Sequence, residues 1–387
     1  MTLFSVLLIT CSTEHGTTES KTQVTLSRDS ALLTPGRSLI LTANVLSTIN
    51  MKQTVIWSSS NPNVATVSNG LVTAFNEGTT IITASTETGN EKADCMVTVV
   101  KDMPMIITMQ VQDIKDVELV LMGVGTMKVD WGDGLVQERQ LTPEGGDYSH
   151  TYSNTASHTI TLTSEGITRL ECTNINVSNL HISQNFTLLM LNCHGNRLRS
   201  LDLSRCHALT MLWCGNNELT SLNVTGCSAL TYIACGNNQL TSLNLSSCVA
   251  LEGFECMNNL ITDLNIDGCK ALTGFYCSNN RLRSLDVGKF TAMTGIDCSN
   301  NLLTSLIIRG ANSLHELDCR NNQLTSLDAS KTDLASISCS SNLLQARALN
   351  ALFNTLREKR GSIYMANNPG TDGCNQNIAT NKGWSFR

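Results

Sequence analysis

The chain has 387 residues, a formal net charge of −6 and 15% charged residues. That length implies two to four domains, and the absence of a basic block or a basic–aromatic patch excludes nucleic acid as a partner. No stretch reaches the roughly 18–20 apolar residues needed to span a bilayer.

Residues 1–21 come first. Met1 to Thr10 reads MTLFSVLLIT, a short apolar run ahead of Cys11, and a Ser/Thr-rich tether follows. Leu8-Ile9-Thr10-Cys11 resembles a bacterial lipoprotein box, in which the cysteine is lipidated after cleavage of the leader. Thr10 departs from the usual small residue before the cysteine, and no Lys or Arg precedes the apolar run. The resemblance implies a lipid anchor on Cys11 and an outer-membrane lipoprotein at the surface of a Gram-negative bacterium, or a secreted protein if Cys11 stays unmodified.

Residues 22–101 alternate in short strand-like runs. Leu39-Ile40-Leu41-Thr42-Ala43 follows a Pro35-Gly36 turn. Thr54-Val55-Ile56-Trp57, Asn63-Val64-Ala65-Thr66-Val67 and Gly78-Thr79-Thr80-Ile81-Ile82-Thr83-Ala84 come after it, with Asn69-Gly70 as a hairpin turn. This segment resembles the bacterial immunoglobulin-like domain, group 2, across its whole length. The resemblance implies a β-sandwich with Trp57 in its core, serving as a spacer or adhesin module. Asp29-Ser30-Ala31 fits a short glycan-attachment tripeptide, or reads as an exposed loop serine.

Residues 104–168 carry Val129-Asp130-Trp131-Gly132-Asp133-Gly134, then His150-Thr151-Tyr152, then Thr159-Ile160-Thr161-Leu162. The W-G-D-G turn, the H-x-Y and the last strand resemble a PKD-type sandwich. Asp130, Asp133 and His150 read as turn residues rather than metal ligands. Pro104 marks the start of this segment.

Residues 169–345 repeat every 21 positions. Cys172, Cys193, Cys214, Cys235, Cys256, Cys277, Cys298 and Cys319 keep that spacing, Cys339 follows after 20, and Cys206, Cys227, Cys248 and Cys269 form a second series. Asparagine stands three residues after the first cysteine, from Asn196 to Asn342. Large aliphatics stand at plus five, eight, ten, sixteen and nineteen, as at Leu198, Leu201, Leu203, Leu209 and Leu212. The unit L-x-x-L-x-C-x-x-N-x-L-x-x-L-x-L-x-x-C resembles a leucine-rich repeat with cysteine in place of its third leucine. It is similar to the nested 21-residue class found mainly in bacteria. Each half-unit is expected to supply one short strand and one corner of a flattened coil.

Stacked turns lie about 4.8 Å apart with parallel Cβ vectors, whereas a disulfide brings its Cβ atoms to about 3.8 Å and face to face. The ladder cysteines are therefore expected as buried apolar filler. The asparagines are expected at corners, bonding the backbone of neighbouring turns. The second sandwich is expected to close one end of the coil, since a bare end turn exposes an apolar cross-section. Residues 346–387 have leucines at helical spacing (Leu349, Leu352, Phe353, Leu356) and resemble the C-terminal cap of such repeat proteins.

Two faces remain for solvent. One is monotonous: Thr220-Ser221, Thr241-Ser242, Thr304-Ser305, with Asp or Asn at Asp202, Asn223, Asn244 and Asp286, and it reads as plain solvated surface. The other, beside the cysteine strand, varies. Met190, Asn192, His194, Met211, Trp213, Tyr232, Glu255, Met257, Tyr276, Asp297, Glu316, Asp318 and Arg320 stand there. Three large aromatics turned to water among acids mark a candidate ligand face. The sequence lacks G-x-S-x-G, H-E-x-x-H and a phosphate-cradling glycine loop. The expectation is a mainly β, multidomain, non-enzymatic, monomeric binding protein with no cofactor and no metal. Its ligand is a protein or a glycan, or else the coil is a purely structural part of the envelope.

Overall fold

A computed structural model describes residues 22–47, 54–87, 91–100, 104–183, 185 and 187–387. Cys11 and the tether lie outside the described residues. The chain divides into two compact units, 1–102 and 103–387.

In the first unit, Ser30–Leu33, Lys92–Val99, Gly78–Thr86 and Val55–Ser59 form one sheet in that order, with Ser30–Leu33 parallel to its neighbour. A second sheet joins Ser38–Ile40, Leu71–Ala74 and Ala65–Ser68. Strand alternation buries Val72, Ala74, Ile82, Cys95 and Val97. The hairpin at Asn69-Gly70 forms as its sequence requires: both residues have positive φ, 50° and 83°, and Ser68 faces Leu71. A Cβ on Gly70 would stand 2.3 Å from the Leu41 carbonyl oxygen. Trp57 differs from expectation. It is half-buried and packs on the rim of the core, because the cluster centre is filled by small and β-branched side chains. Ser30 is exposed, and it opens a strand rather than sitting in a loop.

The second unit begins as two facing sheets. One orders Val136–Gln140, Thr126–Asp130, His158–Ser164, Met105–Val111 and Val177–Ile182; the other begins with Gly146–Thr151, Asp116–Gly123 and Ile167–Glu171. Alternation buries Ile107, Met109, Leu119, Leu121, Val129 and Leu162 between them. Ile167–Glu171 pairs antiparallel with Asp116–Gly123 on one side and parallel with Met190–Asn192 on the other. The sandwich sheet thus runs into the coil without an edge. Counted over the described residues, it has thirteen strands.

Each 21-residue turn contributes one three-residue rung to this sheet, centred on an inward Leu191, Leu212, Ile233, Phe254, Phe275, Ile296 or Leu317. The opposite side carries shorter pairs such as Ser200–Asp202 with Ser221–Asn223. Inward positions are buried as the period predicts, and the core is continuous from Met105 to Trp384. Both cysteine series are buried and unpaired. Burial pushes the thiols of Cys172 and Cys235 up to about 12. Phe290, Ala311 and Thr332 take over the second cysteine column, also buried.

The corner asparagines bond as expected. Asn238 Oδ1 accepts the Leu219 N–H of the preceding turn at 2.9 Å, and its Nδ2 donates to the carbonyls of Cys214 and Cys235, both at 3.0 Å. The residue before each one has positive φ, as at Asn216, Asn237, Asn258, Asn279, Asn300 and Asn321. This explains the doubled Asn-Asn of the sequence, since a left-handed residue costs least as Gly or Asn.

The monotonous face is exposed, yet its Asp and Asn side chains and several of its threonines are tied to the backbone rather than merely solvated. Asn223, Asn244 and Asp286 each accept the N–H two residues ahead (3.0–3.1 Å), and Thr220 Oγ1 donates to the Arg199 carbonyl at 3.1 Å. These Asx turns make the second corner wherever Asp or Asn holds the position; Ile307 breaks the series and is exposed.

Helix Ala346–Thr355 buries Leu349, Leu352 and Phe353, and Lys382 Nζ donates to the carbonyls of Phe353, Asn354 and Leu356 at its C-terminal end. The helix stands where other turns have their opposite-face strand. After it, Gly361–Tyr364 resumes the ladder with Ile363 opposite Ile337, and Asn368 occupies the corner-asparagine place.

Candidate binding face

Rung geometry sorts the outward residues into two columns. Met190, Met211, Tyr232, Gly253, Gly274, Gly295, Glu316 and Ser336 follow one another in register. Beside them run Asn192, Trp213, Ala234, Glu255, Tyr276, Asp297, Asp318 and Ser338. Period-two alternation sends both columns out whenever the residue between them is in the core. His194, Met257 and Arg320 follow the cysteines at the corner.

The aromatics do not form one cluster. Trp213 and Tyr232 touch, with ring centroids 5.7 Å apart, and both are half-buried rather than turned fully to water. Tyr276 lies two rungs beyond Tyr232 and is 43% exposed. Glycine explains the difference. A Cβ on Gly253 would stand 2.7 Å from Tyr232 Cδ2, so the Tyr232 ring lies over bare backbone and reaches the next turn. There its hydroxyl donates to Glu255 Oε1 at 2.5 Å. Burial, and then this bond to a carboxylate, push the Tyr232 phenol well above its usual range.

The face therefore has two halves. Met190, Met211, Trp213 and Tyr232 make an apolar patch on three successive rungs. From Gly253 to Gly295 one column has no side chains, and acids flank it. A Cβ at Gly295 would meet nothing within 4 Å. A hollow of about 260 Å³ opens there, lined by Tyr276, Asp297, Glu316, Asp318, Ser336 and Ser338. Asp318 Oδ2 pairs with Arg320 at 2.9 Å, while burial pushes its carboxyl up, against the opposing pull of the Arg320 N–H and guanidinium. Asp297 Oδ1 accepts the Ser299 N–H at 2.9 Å.

His194 is spoken for. Its backbone N–H donates to Asn192 Oδ1, and its Nε2 lies 2.9 Å from Asn216 Nδ2 on the next turn, which makes it part of the corner. Gly253, Gly274 and Gly295 belong to this face as well: they keep the 21-residue spacing, but a glycine gives a pattern of large outward residues no signal.

In the sandwich, Asp130 Oδ1 accepts the Gly132 N–H and Asp133 Oδ1 that of Leu135, so both acids shape the turn. Asp133 Oδ2 also lies 2.7 Å from His150 Nε2. His150 stacks on Trp131 and meets Tyr152 edge-on.

Residues 21–97 match the bacterial Ig-like domain (group 2). No curated protein matches the chain. Among solved structures, the chain is similar to the functional domain of InlJ from Listeria monocytogenes, described as including a cysteine ladder. Identity is 26% and the TM-score 0.43, with 60% of this chain and 56% of that one covered. YopM from Yersinia pestis, a leucine-rich effector protein, is 22% identical with a TM-score of 0.39, over 52% of this chain and 60% of that one. The chain thus spans little more than half the length of either. The solenoid assignment rests on the 21-residue ladder itself.

Proposed function

We propose that the chain is a non-enzymatic binding protein exposed at a bacterial surface, and that the outer face of its long sheet docks a protein ligand. The observation that carries this reading is the contrast between the two solvent faces. On the opposite face most turns repeat Thr, Ser and then Asn or Asp, with Arg199, Asp263, Arg283 and Ile307 as the departures. On the long sheet the outward residues change from rung to rung and include adjoining Met190, Met211, Trp213 and Tyr232. Aromatic and methionine side chains in one patch are what protein interfaces concentrate at their centres. The group 2 Ig-like segment at residues 21–97 suits a module that extends reach from a surface. Lipidation at Cys11 would supply the anchor, and a PKD-type sandwich at 104–168 would lead into the repeats.

The test is a panel of surface proteins and glycans probed with the full chain and with Trp213→Ala/Tyr232→Ala. Capture of a protein that the double variant loses, with circular dichroism unchanged, is expected. Binding that survives the double variant refutes the patch. Capture of glycans alone favours a polysaccharide-recruiting accessory role instead.

A further inference from the structure

We propose that the hollow over Gly295 receives one arginine or lysine side chain from a partner polypeptide. The inference deepens the protein-docking reading, on which it rests, and concerns the other half of the same face.

Size comes first. At about 260 Å³, the hollow falls below the roughly 300–1,000 Å³ of sites that enclose a whole small molecule. One long side chain of a larger ligand is the matching occupant. The floor is backbone, because Gly295 carries no side chain and its Cβ direction is open.

Charge comes second. Asp297, Glu316 and Asp318 line the hollow against one guanidinium, that of Arg320, which is already on Asp318. Glu316 has no ion-pair partner among the described residues. Asp297 and Asp318 face each other across adjacent rungs, and like charges opposite one another in a sheet repel. The free protein therefore carries a repulsion that an incoming cation would relieve. The same field rejects phosphates, nucleic acid and anionic lipid headgroups. The Tyr276 ring, exposed at the edge, offers the π face on which a guanidinium or ammonium is held. A neutral sugar could stack on Tyr276 and donate hydroxyls to the carboxylates, but it would neutralise none of their charge.

The experiment titrates the intact chain against a fluorescein-labelled Gly-Gly-Arg-Gly-Gly peptide and its Gln counterpart, followed by anisotropy. The arginine peptide is expected to bind at least about tenfold tighter, and to weaken steeply as salt rises from roughly 0.05 to 0.5 M, where the Debye length becomes short. Gly295→Leu, which fills the hollow and leaves every charge in place, should abolish the preference. Asp297→Asn/Glu316→Gln should also abolish it, and Asp297→Asn alone should raise the urea midpoint of the free protein by removing the repulsion. Equal affinity for the two peptides overturns the proposal. So does an arginine preference indifferent to Gly295→Leu, which would mean diffuse attraction to an acidic surface. Displacement of the peptide by a neutral hexasaccharide, or a dimer that Gly295→Leu dissolves, would assign the hollow to another occupant and likewise overturn it. Loss of partner capture by Trp213→Ala/Tyr232→Ala reads the apolar patch, whereas the arginine preference and its response to Gly295→Leu read the hollow. Failure of the apolar patch and failure of the hollow are thus read separately.

Discussion

Asn280→Ala tests what holds the turns together. Asn280 is 7% exposed. Its Oδ1 accepts the Ile261 N–H at 2.9 Å, and its Nδ2 donates to the carbonyls of Cys256 and Cys277 at 2.9 and 3.1 Å. The two carbonyls are not equally at risk with the N–H. Cys256 also receives Asn259 Nδ2, and Cys277 also receives Asn301 Nδ2. Truncation therefore strands one buried donor and leaves each acceptor with one partner. Stranding a buried group costs about 1–3 kcal/mol and each lost ordinary bond about 0.5–1.5, so about 3 kcal/mol in total is expected. Removing Asn301 as well takes the second amide from Cys277. Asn280→Ala/Asn301→Ala should then exceed the sum of the single variants, as groups sharing a partner do. Asn280→Asp sharpens the test. A carboxylate would face two carbonyl oxygens, which raises its folded pKa above the unfolded value of roughly 3.9. Stability is then present below about pH 4 and lost as pH rises through the folded pKa. Equilibrium urea unfolding read by circular dichroism measures the four variants against the parent. A cost for Asn280→Ala within about 0.5 kcal/mol of zero would mean that water replaces the amide, and would refute the ladder argument.

Asn279 should behave differently, because its φ of 56° and not its side chain sets the requirement. Asn279→Ala is expected to cost about 1–2 kcal/mol and Asn279→Gly much less, by the same unfolding assay. Pulse alkylation at pH 8 with mass-spectrometric mapping should label Cys374, which is half-buried, ahead of every ladder cysteine, whose thiolate forms are suppressed by burial. Native-state labelling at Cys256, Cys277 or Cys298 would contradict the packing. The Leu135 N–H first, and then His150, hold the Asp133 carboxyl below its usual range. Its contribution is present above the unfolded pKa and is lost as pH falls through the folded one. Asp133→Asn should therefore be less stable than the parent near neutrality and converge with it at about pH 2.

The inward positions were legible because burial imposes a strict identity on them. A cysteine, asparagine or leucine at fixed spacing reports its own environment, as Cys235, Asn238 and Leu240 do. What the period could not report is pairing between unlike segments. Nothing in Ile167–Glu171 says that its other edge joins Asp116–Gly123, since strand partners are chosen by the fold and not by the local pattern. The candidate face was read half-way. Large residues such as Trp213 drew attention, but the contact of Tyr232 with Glu255 spans 23 residues and depends on Gly253 having no side chain. Polar corners such as Asn223 looked like solvated surface, because an Asx turn and a free asparagine have the same sequence.

The helix before Gly361–Tyr364 shows how this architecture keeps count. Ten helical residues take the place of the opposite-face half of one turn, and Ile363 still lands on Ile337. Length added between rungs leaves the rungs in step, whereas length added within a rung would turn every outward side chain inward. The face consequently grows by whole turns. Each duplicated unit adds two outward positions and about 4.8 Å of width, so the distance between the apolar residues around Trp213 and the acids around Asp297 is set by how many turns lie between them.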